Sequence, residues 1–137
     1  MIFACTPENK VLLVEEFRPP IGRRCLCFPA GLSGDEGPES HELAARRELE
    51  EETGYTADTM EYLFTAPSSP GLTSETLHFF LAGGLHKVAR GGGVEGENIT
   101  VREVPVAEIE TWLQEQAAQG IAFDSRIFSG LYFLQRR

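Results

Sequence analysis

The stretch ESHELAARRELEEETGY, residues 39–55, decides the fold of this 137-residue chain. Nearly all of its residues are strong helix formers, so the stretch predicts a helix over residues 39–53. Gly54 then marks the end of the helix, because glycine adopts the left-handed conformation of a helix cap without strain.

Three carboxylates gather on one face near the end of this helix. Glu48 lies three residues before Glu51 and four before Glu52, which is the spacing of neighbours on a helical surface. Their mutual repulsion and the helix dipole both disfavour this arrangement, so a divalent cation with oxygen ligands is the natural compensation. The alternative is a solvated charged face, partly neutralised by Arg46 and Arg47.

Apolar and β-branched segments on both sides of this helix predict a mixed fold. Their patterning predicts strands over residues 10–17, 25–28, 55–66, 76–82 and 99–104. Helices are expected over residues 106–119 and after Asp124, with apolar stripes formed by Ile109, Trp112 and Leu113 and by Ile127, Phe128, Leu131 and Leu134. The glycine-rich segment 83–97 is interpreted as a mobile loop. This order predicts the α/β class, of α+β type: one domain over residues 1–137, with helices on both sides of a mixed sheet.

The composition excludes several classes of protein. A net charge of −9 argues against binding to nucleic acid, which depends on a basic surface. No apolar run approaches the roughly 20 residues of a membrane-spanning helix, and no export signal is visible, so we expect a soluble, cytoplasmic protein. The three cysteines fit a reducing compartment. Cys25 and Cys27 share one strand face and are expected to pack in the core rather than bind metal.

The helix and its surroundings resemble the Nudix box, G-x5-E-x7-R-E-U-x-E-E-x-G-U, in which U is a bulky apolar residue. Glu39, seven intervening residues and the run from Arg47 to Tyr55 fit the second and third parts of that pattern. The first part departs from it, because Ser33 stands where the box has glycine. Gly31 lies two residues too early, which indicates a two-residue insertion in the loop before the helix.

The resemblance implies a metal-dependent hydrolase of pyrophosphate bonds. Three carboxylates and one backbone carbonyl would hold Mg²⁺ or Mn²⁺: those of Glu48, Glu51, Glu52 and Ala30. Arg47 would orient a glutamate through an ion pair, and Glu39 would be structural or a peripheral metal contact. Such ions would neutralise the pyrophosphate, lower the pKa of a bound water and stabilise charge on the leaving oxygen.

Segments outside the box resemble the branch of the family that cleaves ADP-ribose and nucleoside diphosphate sugars. Residues 17–23, FRPPIGR, are similar to the arginine–proline segment that precedes the box in that branch. Residues 69–75, SPGLTSE, place a proline past the box at a position associated with ADP-ribose cleavage. Gly96-Glu97 resembles the site of a catalytic glutamate.

The same resemblance implies contacts with substrate. Arg18 and Arg23 would bind substrate, and the planar guanidinium of Arg18 suits a phosphate. The alternative for Arg18 is a surface arginine beside a turn. Ser69, Gly71 and Glu75 would lie near the terminal ribose or sugar.

A glutamate after the glycine-rich segment is the candidate for activating water. Glu97 would act as general base or position the attacking water, and a mobile loop suits a residue that arrives with substrate. Glu95 is the alternative for this role. No histidine is assigned to catalysis, because His41, His78 and His86 do not cluster in the sequence.

The leading hypothesis is hydrolysis of ADP-ribose to AMP and ribose 5-phosphate, or of a related nucleoside diphosphate sugar. Hydrolysis of UDP- or GDP-sugars stays open, because the glycines at residues 91–93 and the insertion could alter the sugar pocket. A Nudix-like binding or sensory domain is the alternative from another class, although such domains are expected to lose the box carboxylates. The first strand comes early, so we expect the usual N-terminal dimerisation region to be missing, and with it the aromatic platform for a nucleobase. A homodimer stays open.

Overall fold

The computed structural model describes residues 1–33 and 37–136. The predicted loop before the first helix includes residues 34–36, which lie outside the described residues. In chain order the described elements are β1 (Ile2–Phe3), β2 (Lys10–Arg18), a 3-10 turn (Pro19–Ile21), β3 (Arg23–Cys27), α1 (His41–Thr53), β4 (Tyr55–Pro67), β5 (Thr76–Lys87), β6 (Thr100–Pro105), a second 3-10 turn (Val106–Glu108), α2 (Ile109–Ala118), β7 (Ala122–Phe123) and α3 (Arg126–Leu134).

The described strands form two mixed sheets rather than one. In the first, of order β1-β5-β4, β5 runs parallel to β1 and antiparallel to β4. In the second, of order β6-β2-β3-β7, β2 runs antiparallel to β6 and β3, and β3 runs parallel to β7. Backbone hydrogen bonds from Leu12 to Ala4 and from Ile2 to Pro29 join the two sheets near β1. The predicted mixed architecture is confirmed, with its strands divided between two sheets.

Helices cover both sides of the strands, because successive strand residues point to opposite faces. Leu12 packs in the same buried cluster as Leu49 of α1. Its neighbour Leu13 points the other way and packs with Leu113 of α2 and Ile127 of α3. Each fully buried leucine contributes roughly 1.5–3 kcal/mol relative to an exposed one, so this alternation fixes the register of β2.

Helix α1 begins two residues later than predicted and ends where predicted. Ser40 has an extended backbone, and its Oγ accepts a hydrogen bond from the N–H of Leu43 at 3.1 Å, so Ser40 caps the helix. At the other end Gly54 adopts a φ of 75°, and its N–H donates to the carbonyl of Glu50. The helix thus spans the whole acidic stretch up to Thr53.

Strand β5 is longer than predicted. The sequence predicts a loop from residue 83, but the strand continues to Lys87 and pairs with β4 from Thr59 opposite Gly83 to Tyr55 opposite Lys87. The prediction was wrong for residues 83–87, because cross-strand pairing outweighs the low strand propensity of glycine. The glycine-rich connection is therefore shorter than expected.

The C-terminal helix agrees with most of its predicted stripe, but its N-cap residue is Ser125, which makes no side-chain cap hydrogen bond, rather than Asp124 as the sequence predicted. The Asp124 carboxylate accepts a hydrogen bond from the backbone N–H of Arg126 at 2.8 Å. The buried stripe consists of Ile127, Leu131 and Leu134. Phe128 was wrongly placed in it, because 45% of its surface is exposed and its ring meets that of Phe123 edge-on. Within the described residues, no helix is long and apolar enough to cross a membrane.

Candidate active site

The acidic face of α1 lies against the segment that precedes the helix. Leu49 is fully buried in the core, which fixes the rotation of the helix about its axis. Glu52 is buried as a result, with 5% of its surface exposed, and its Oε2 accepts a hydrogen bond from the backbone N–H of Ala30 at 3.0 Å. The Glu48 carboxylate lies so close to Gly31 that a Cβ there would overlap it. This close approach explains why position 31, in the segment before the helix, is a glycine.

Burial raises the pKa of Glu52 to about 8. The hydrogen bond from Ala30 acts in the opposite direction, while the charges of Glu48, Glu16 and Glu97 raise the pKa further. Several carboxylates therefore share one region of negative potential. Hard divalent cations prefer oxygen donors of this kind, so the donor set fits Mg²⁺ or Mn²⁺.

Arg47 lies at the centre of the acidic face. Its Nη1 contacts Oε1 of Glu48 at 2.9 Å and Oε2 of Glu51 at 3.2 Å, and its Nη2 contacts Oε1 of Glu39 at 3.0 Å. Hydrogen bonds between charged groups are about twice as strong as neutral ones, and the planar guanidinium fixes their directions. Arg47 thus holds three glutamates of the motif in defined orientations.

The candidate metal ligands are neighbours in the fold but do not converge on one point. The Glu51 carboxylate contacts Arg47, whereas the Glu52 carboxylate contacts Ala30. The N–H of Ala30 donates to the Glu52 carboxylate, and the role of the Ala30 carbonyl as a metal ligand stays a prediction. In residues 1–33 and 37–136, no group of three His, Cys, Asp or Glu side chains is arranged to hold a metal ion. Binding a cation there requires a change in side-chain torsions.

The glycine-rich segment after β5 docks on the C-terminal end of α1. The N–H of Gly92 donates to the carbonyl of Glu52 at 2.8 Å, and the N–H of Gly93 donates to that of Glu51 at 2.9 Å. These carbonyls have no partner within the helix, so the segment satisfies them. Gly91, like the other two, has a positive φ, and a Cβ there would overlap the backbone of α1. The segment expected to be a mobile loop is thus hydrogen-bonded to the acidic helix.

This docking brings Glu97, rather than Glu95, into electrostatic contact with the site. Oε2 of Glu97 accepts a hydrogen bond from the N–H of Val94 at 2.9 Å and lies against Gly93. Burial is the largest contribution that raises the pKa of Glu52, and the charge of Glu97 adds to it. Glu95 and Glu97 are both exposed, but Glu95 is not among the main causes of that shift.

The arginine–proline segment forms the turn of the β2–β3 hairpin. Arg18 ends β2 and pairs in register with Arg23, the first residue of β3. Arg18 Nη2 contacts Oε1 of Glu16 at 2.6 Å and Sγ of Cys27 at 4.0 Å. Since the charge of Glu16 adds to the effect of burial on Glu52, Arg18 lies on the same side of the sheet as the carboxylates. Arg23 lies beside it and is exposed.

Both cysteines of β3 lie on that same side, as predicted. Cys27 is buried and packs with Val14 and Ile99, whereas Cys25 is half-buried. All three cysteines of the chain, including Cys5, are free thiols. Cys27 therefore forms part of the core beneath the acidic face.

A pocket of about 280 Å³ lies between the N-terminal half of α1, the start of β5 and the segment before α1. Glu48 and Glu75 both line it, so the fold brings a residue of the predicted sugar segment next to the acidic helix. Oε2 of Glu75 accepts a hydrogen bond from Oγ of Ser68 at 3.2 Å. Ser69 and Gly71 belong to the preceding turn and do not line this pocket.

Two features of this region were not predicted by any sequence motif. Glu16 lies two residues before Arg18, so the alternation of β2 could have placed it on the site's face. The imidazole rings of His41 and His78 stack with centroids 3.6 Å apart and planes at 20°. Their contact depends on α1 packing against β5, which no local pattern predicts.

The fold and the acidic helix are those of a known protein family. The NUDIX domain family matches residues 1–124, which include every described element from β1 to β7. The chain belongs to this family, as the resemblance of the helix implied. Its relatives include proteins named as pyrophosphatases, of which this chain spans about half the length.

Three similar proteins each match most of the chain. The methanol dehydrogenase activator of Bacillus methanolicus is 35% identical over 136 residues, covering 98% of this chain and 70% of that protein. The ADP-sugar pyrophosphatase of Mus musculus is 37% identical over 127 residues, covering 87% of this chain but 56% of the mouse protein. The crystal structure of an ADP compounds hydrolase superposes with a TM-score of 0.75 at 26% identity, over 99% of this chain and 69% of that one.

Proposed function

We propose that this chain hydrolyses the pyrophosphate bond of ADP-ribose or a related nucleoside diphosphate sugar. With ADP-ribose, water adds across the bond and the products are AMP and ribose 5-phosphate. The observation that carries the proposal is the placement of Glu48, Glu51 and Glu52 beside both the Glu97 segment and the pocket. The names of the mouse relative and of the solved structure, which refer to ADP-sugars and ADP compounds, support an adenine nucleotide.

Nudix hydrolases generally use divalent metal ions, and the donor set described above fits them. In this proposal Glu48, Glu51 and Glu52 hold Mg²⁺ or Mn²⁺, together with the carbonyl of Ala30. When bound, such ions neutralise the charge of a pyrophosphate and polarise its P–O bonds. Arg47 keeps the glutamates oriented through its ion pairs with two of them, and with Glu39 at the periphery.

The remaining candidate residues bind substrate and activate water. Arg18 binds a phosphate through the N–H donors in the plane of its guanidinium, with Arg23 beside it. Glu97 takes a proton from the attacking water or positions that water. Its proximity to Glu52, through the docked glycines, supports this role over one for Glu95.

The substrate contacts beyond the phosphates belong to the segment after β4. In the proposal Glu75 contacts the terminal sugar, since it lines the pocket next to Glu48. Ser69 and Gly71 shape the turn that presents Glu75. The proposal treats residues 1–137 as one domain, which the family match over residues 1–124 supports. A homodimer stays a prediction, for light scattering to test.

A panel of substrates tests the proposed function. The purified chain is incubated with Mg²⁺ and ADP-ribose, ADP-glucose, GDP-mannose or UDP-glucose, and phosphate is measured after a phosphomonoesterase is added. We expect turnover of the ADP-sugars and its loss when the divalent ions are chelated. Turnover only of GDP- or UDP-sugars would overturn the choice of base, and no turnover of any substrate with Mg²⁺ or Mn²⁺ would overturn catalysis.

A further inference from the structure

The pocket beside Glu48 has an apolar floor and a polar rim. Ala44, Ala45 and Phe80 supply the apolar surface. Its volume of about 280 Å³ lies just below the range of roughly 300–1,000 Å³ that is usual for ligand pockets. A pocket of this size suits one half of a nucleotide sugar, and the other half must lie elsewhere along the site.

Two histidines from different elements form one part of the rim. His41 stands at the start of α1, and His78 lies on the face of β5 that points toward α1. Nδ1 of His41 is within 3.0 Å of Ser33 Oγ, and Nδ1 of His78 is within 2.8 Å of Thr65 Oγ1. These contacts and the ring stack fix both imidazoles, so their orientations are set before any ligand binds.

The second ring nitrogen of each histidine is the group that a ligand can use. Among the partners of the described residues, none contacts Nε2 of His41 or Nε2 of His78. Burial lowers the pKa of His78, and the neighbouring His41 lowers it further, so His78 is a neutral donor or acceptor near pH 7. His78 thus offers a hydrogen bond without adding a fixed positive charge.

The charges around the pocket select against a phosphate within it. Glu48 and Glu75 both line it, and no lysine or arginine does so within the described part of the chain. The Met1 amino group also borders the pocket, but burial lowers its pKa to about 6, so it carries little positive charge at pH 7. Away from a cation held by Glu48, an anionic group would be repelled by Glu75, whereas sugar hydroxyls can donate to carboxylates and exchange hydrogen bonds with imidazoles. The apolar floor can pack against the C–H face of a sugar ring.

We propose that this pocket binds the terminal monosaccharide of the substrate, and that His41 and His78 determine its specificity through hydrogen bonds to sugar hydroxyls. This inference rests on the proposed function and extends it. Glu48, at the other end of the pocket, then lies next to the phosphate that the sugar carries. The nucleoside half lies outside the pocket, on the side of Arg18.

Binding of the two products, measured separately, tests the assignment without depending on turnover. Calorimetry with Mg²⁺ compares ribose 5-phosphate and AMP on the wild-type chain and on His78→Ala and His41→Ala. We expect each substitution to weaken the affinity for ribose 5-phosphate about five- to tenfold, which is the scale of one neutral hydrogen bond. The affinity for AMP should stay unchanged. His86→Ala is the matched control, because His86 lies on the same strand but contacts Asp58 outside the pocket.

A second variant separates hydrogen bonding from shape. His78→Phe keeps a ring that can stack on His41 but lacks the ring nitrogens, so we expect it to lose as much affinity for ribose 5-phosphate as His78→Ala. Full affinity in His78→Phe would overturn the hydrogen-bonding role. Loss of affinity for AMP instead would place the nucleoside in the pocket and overturn the assignment. The assignment would also be overturned if the affinities for both products fell equally, or if neither fell. None of these outcomes affects wild-type turnover of ADP-sugars, whose absence would overturn the proposed function itself.

Discussion

The backbone N–H of Ala30 donates to Oε2 of Glu52 at 3.0 Å and so joins the segment before α1 to the last turn of that helix. The contact is buried, and burial raises the pKa of Glu52 to about 8. A carboxylate kept in such surroundings is costly unless a partner compensates its charge. Because the charges of Glu48, Glu16 and Glu97 also act on it, Glu52 is the side chain on which the proposed metal site depends.

Glu52→Gln is expected to lower kcat/KM by at least about 100-fold, the scale at which one charge-stabilising group contributes to an active site. The amide keeps the size of the side chain and can still accept the hydrogen bond from Ala30, so the fold is preserved. Hydrolysis of ADP-ribose with Mg²⁺ measures the effect. Glu50→Gln is the control, since Glu50 lies on the same helix but is exposed. Unchanged activity in Glu52→Gln would remove the metal-site assignment.

Glu97→Gln is expected to lower kcat about 100-fold while leaving Mg²⁺ affinity unchanged, because a general base contributes roughly 10²–10⁴-fold. Glutamine can still accept the hydrogen bond from Val94, so the docked segment keeps its geometry and only the charge is lost. Glu95→Gln should retain activity within about twofold. The reverse pattern, with loss only in Glu95→Gln, would assign the role to Glu95.

Gly91→Ala is expected to lower both stability and kcat. Gly91 has a φ of 74°, and the added Cβ would overlap the backbone of α1, so the segment that carries Glu97 must move away from the helix. Gly120→Ala is the control, because its φ of 87° imposes a similar strain of about 1–2 kcal/mol but a Cβ there meets nothing within 4 Å. Thermal unfolding measures the loss of stability in each variant, and single-turnover rates measure the loss of catalysis. Equal losses of kcat in both variants would show that docking is irrelevant to catalysis.

Acid stability depends on Glu15, which is buried on the opposite side of the sheet from the active site. Burial by itself would raise the pKa of this carboxylate, but hydrogen bonds from Arg24 and Arg102 hold it below its ordinary value. The folded state therefore binds fewer protons than the unfolded chain. The stabilisation is complete above the unfolded-state pKa of about 4.3 and is lost as the pH falls through the lower folded-state value.

Glu15→Gln is expected to lower the free energy of unfolding at pH 7 by about 3 kcal/mol, the lower end of the range for a buried pair that loses one partner, since Arg102 is partly exposed. Below about pH 4 the difference from wild type should shrink. Urea unfolding at several pH values measures this, with exposed Glu8→Gln as control. A difference that stays constant down to pH 2 would contradict the role of the carboxylate charge.

Much of the fold could be predicted because local patterns encode it. The cap at Gly54 and the alternation of β2 follow from backbone preferences and from the direction of successive side chains. The length of β5 could not be predicted, since its last residues are poor strand formers that pair with β4 across the sheet. Phe128 lies just outside a stripe whose edge depends on how α3 meets its neighbours.

By itself, the sequence determined that Glu48, Glu51 and Glu52 share a face, because residues three and four apart on a helix are neighbours in any environment. Only the tertiary structure decided that Glu52 is buried against Ala30, that Glu97 rather than Glu95 approaches it, and that His41 meets His78. Each of those contacts joins segments that are distant along the chain. Their geometry is set by how the core packs and by how the chain closes around the core. Local residue spacing does not predict either of these.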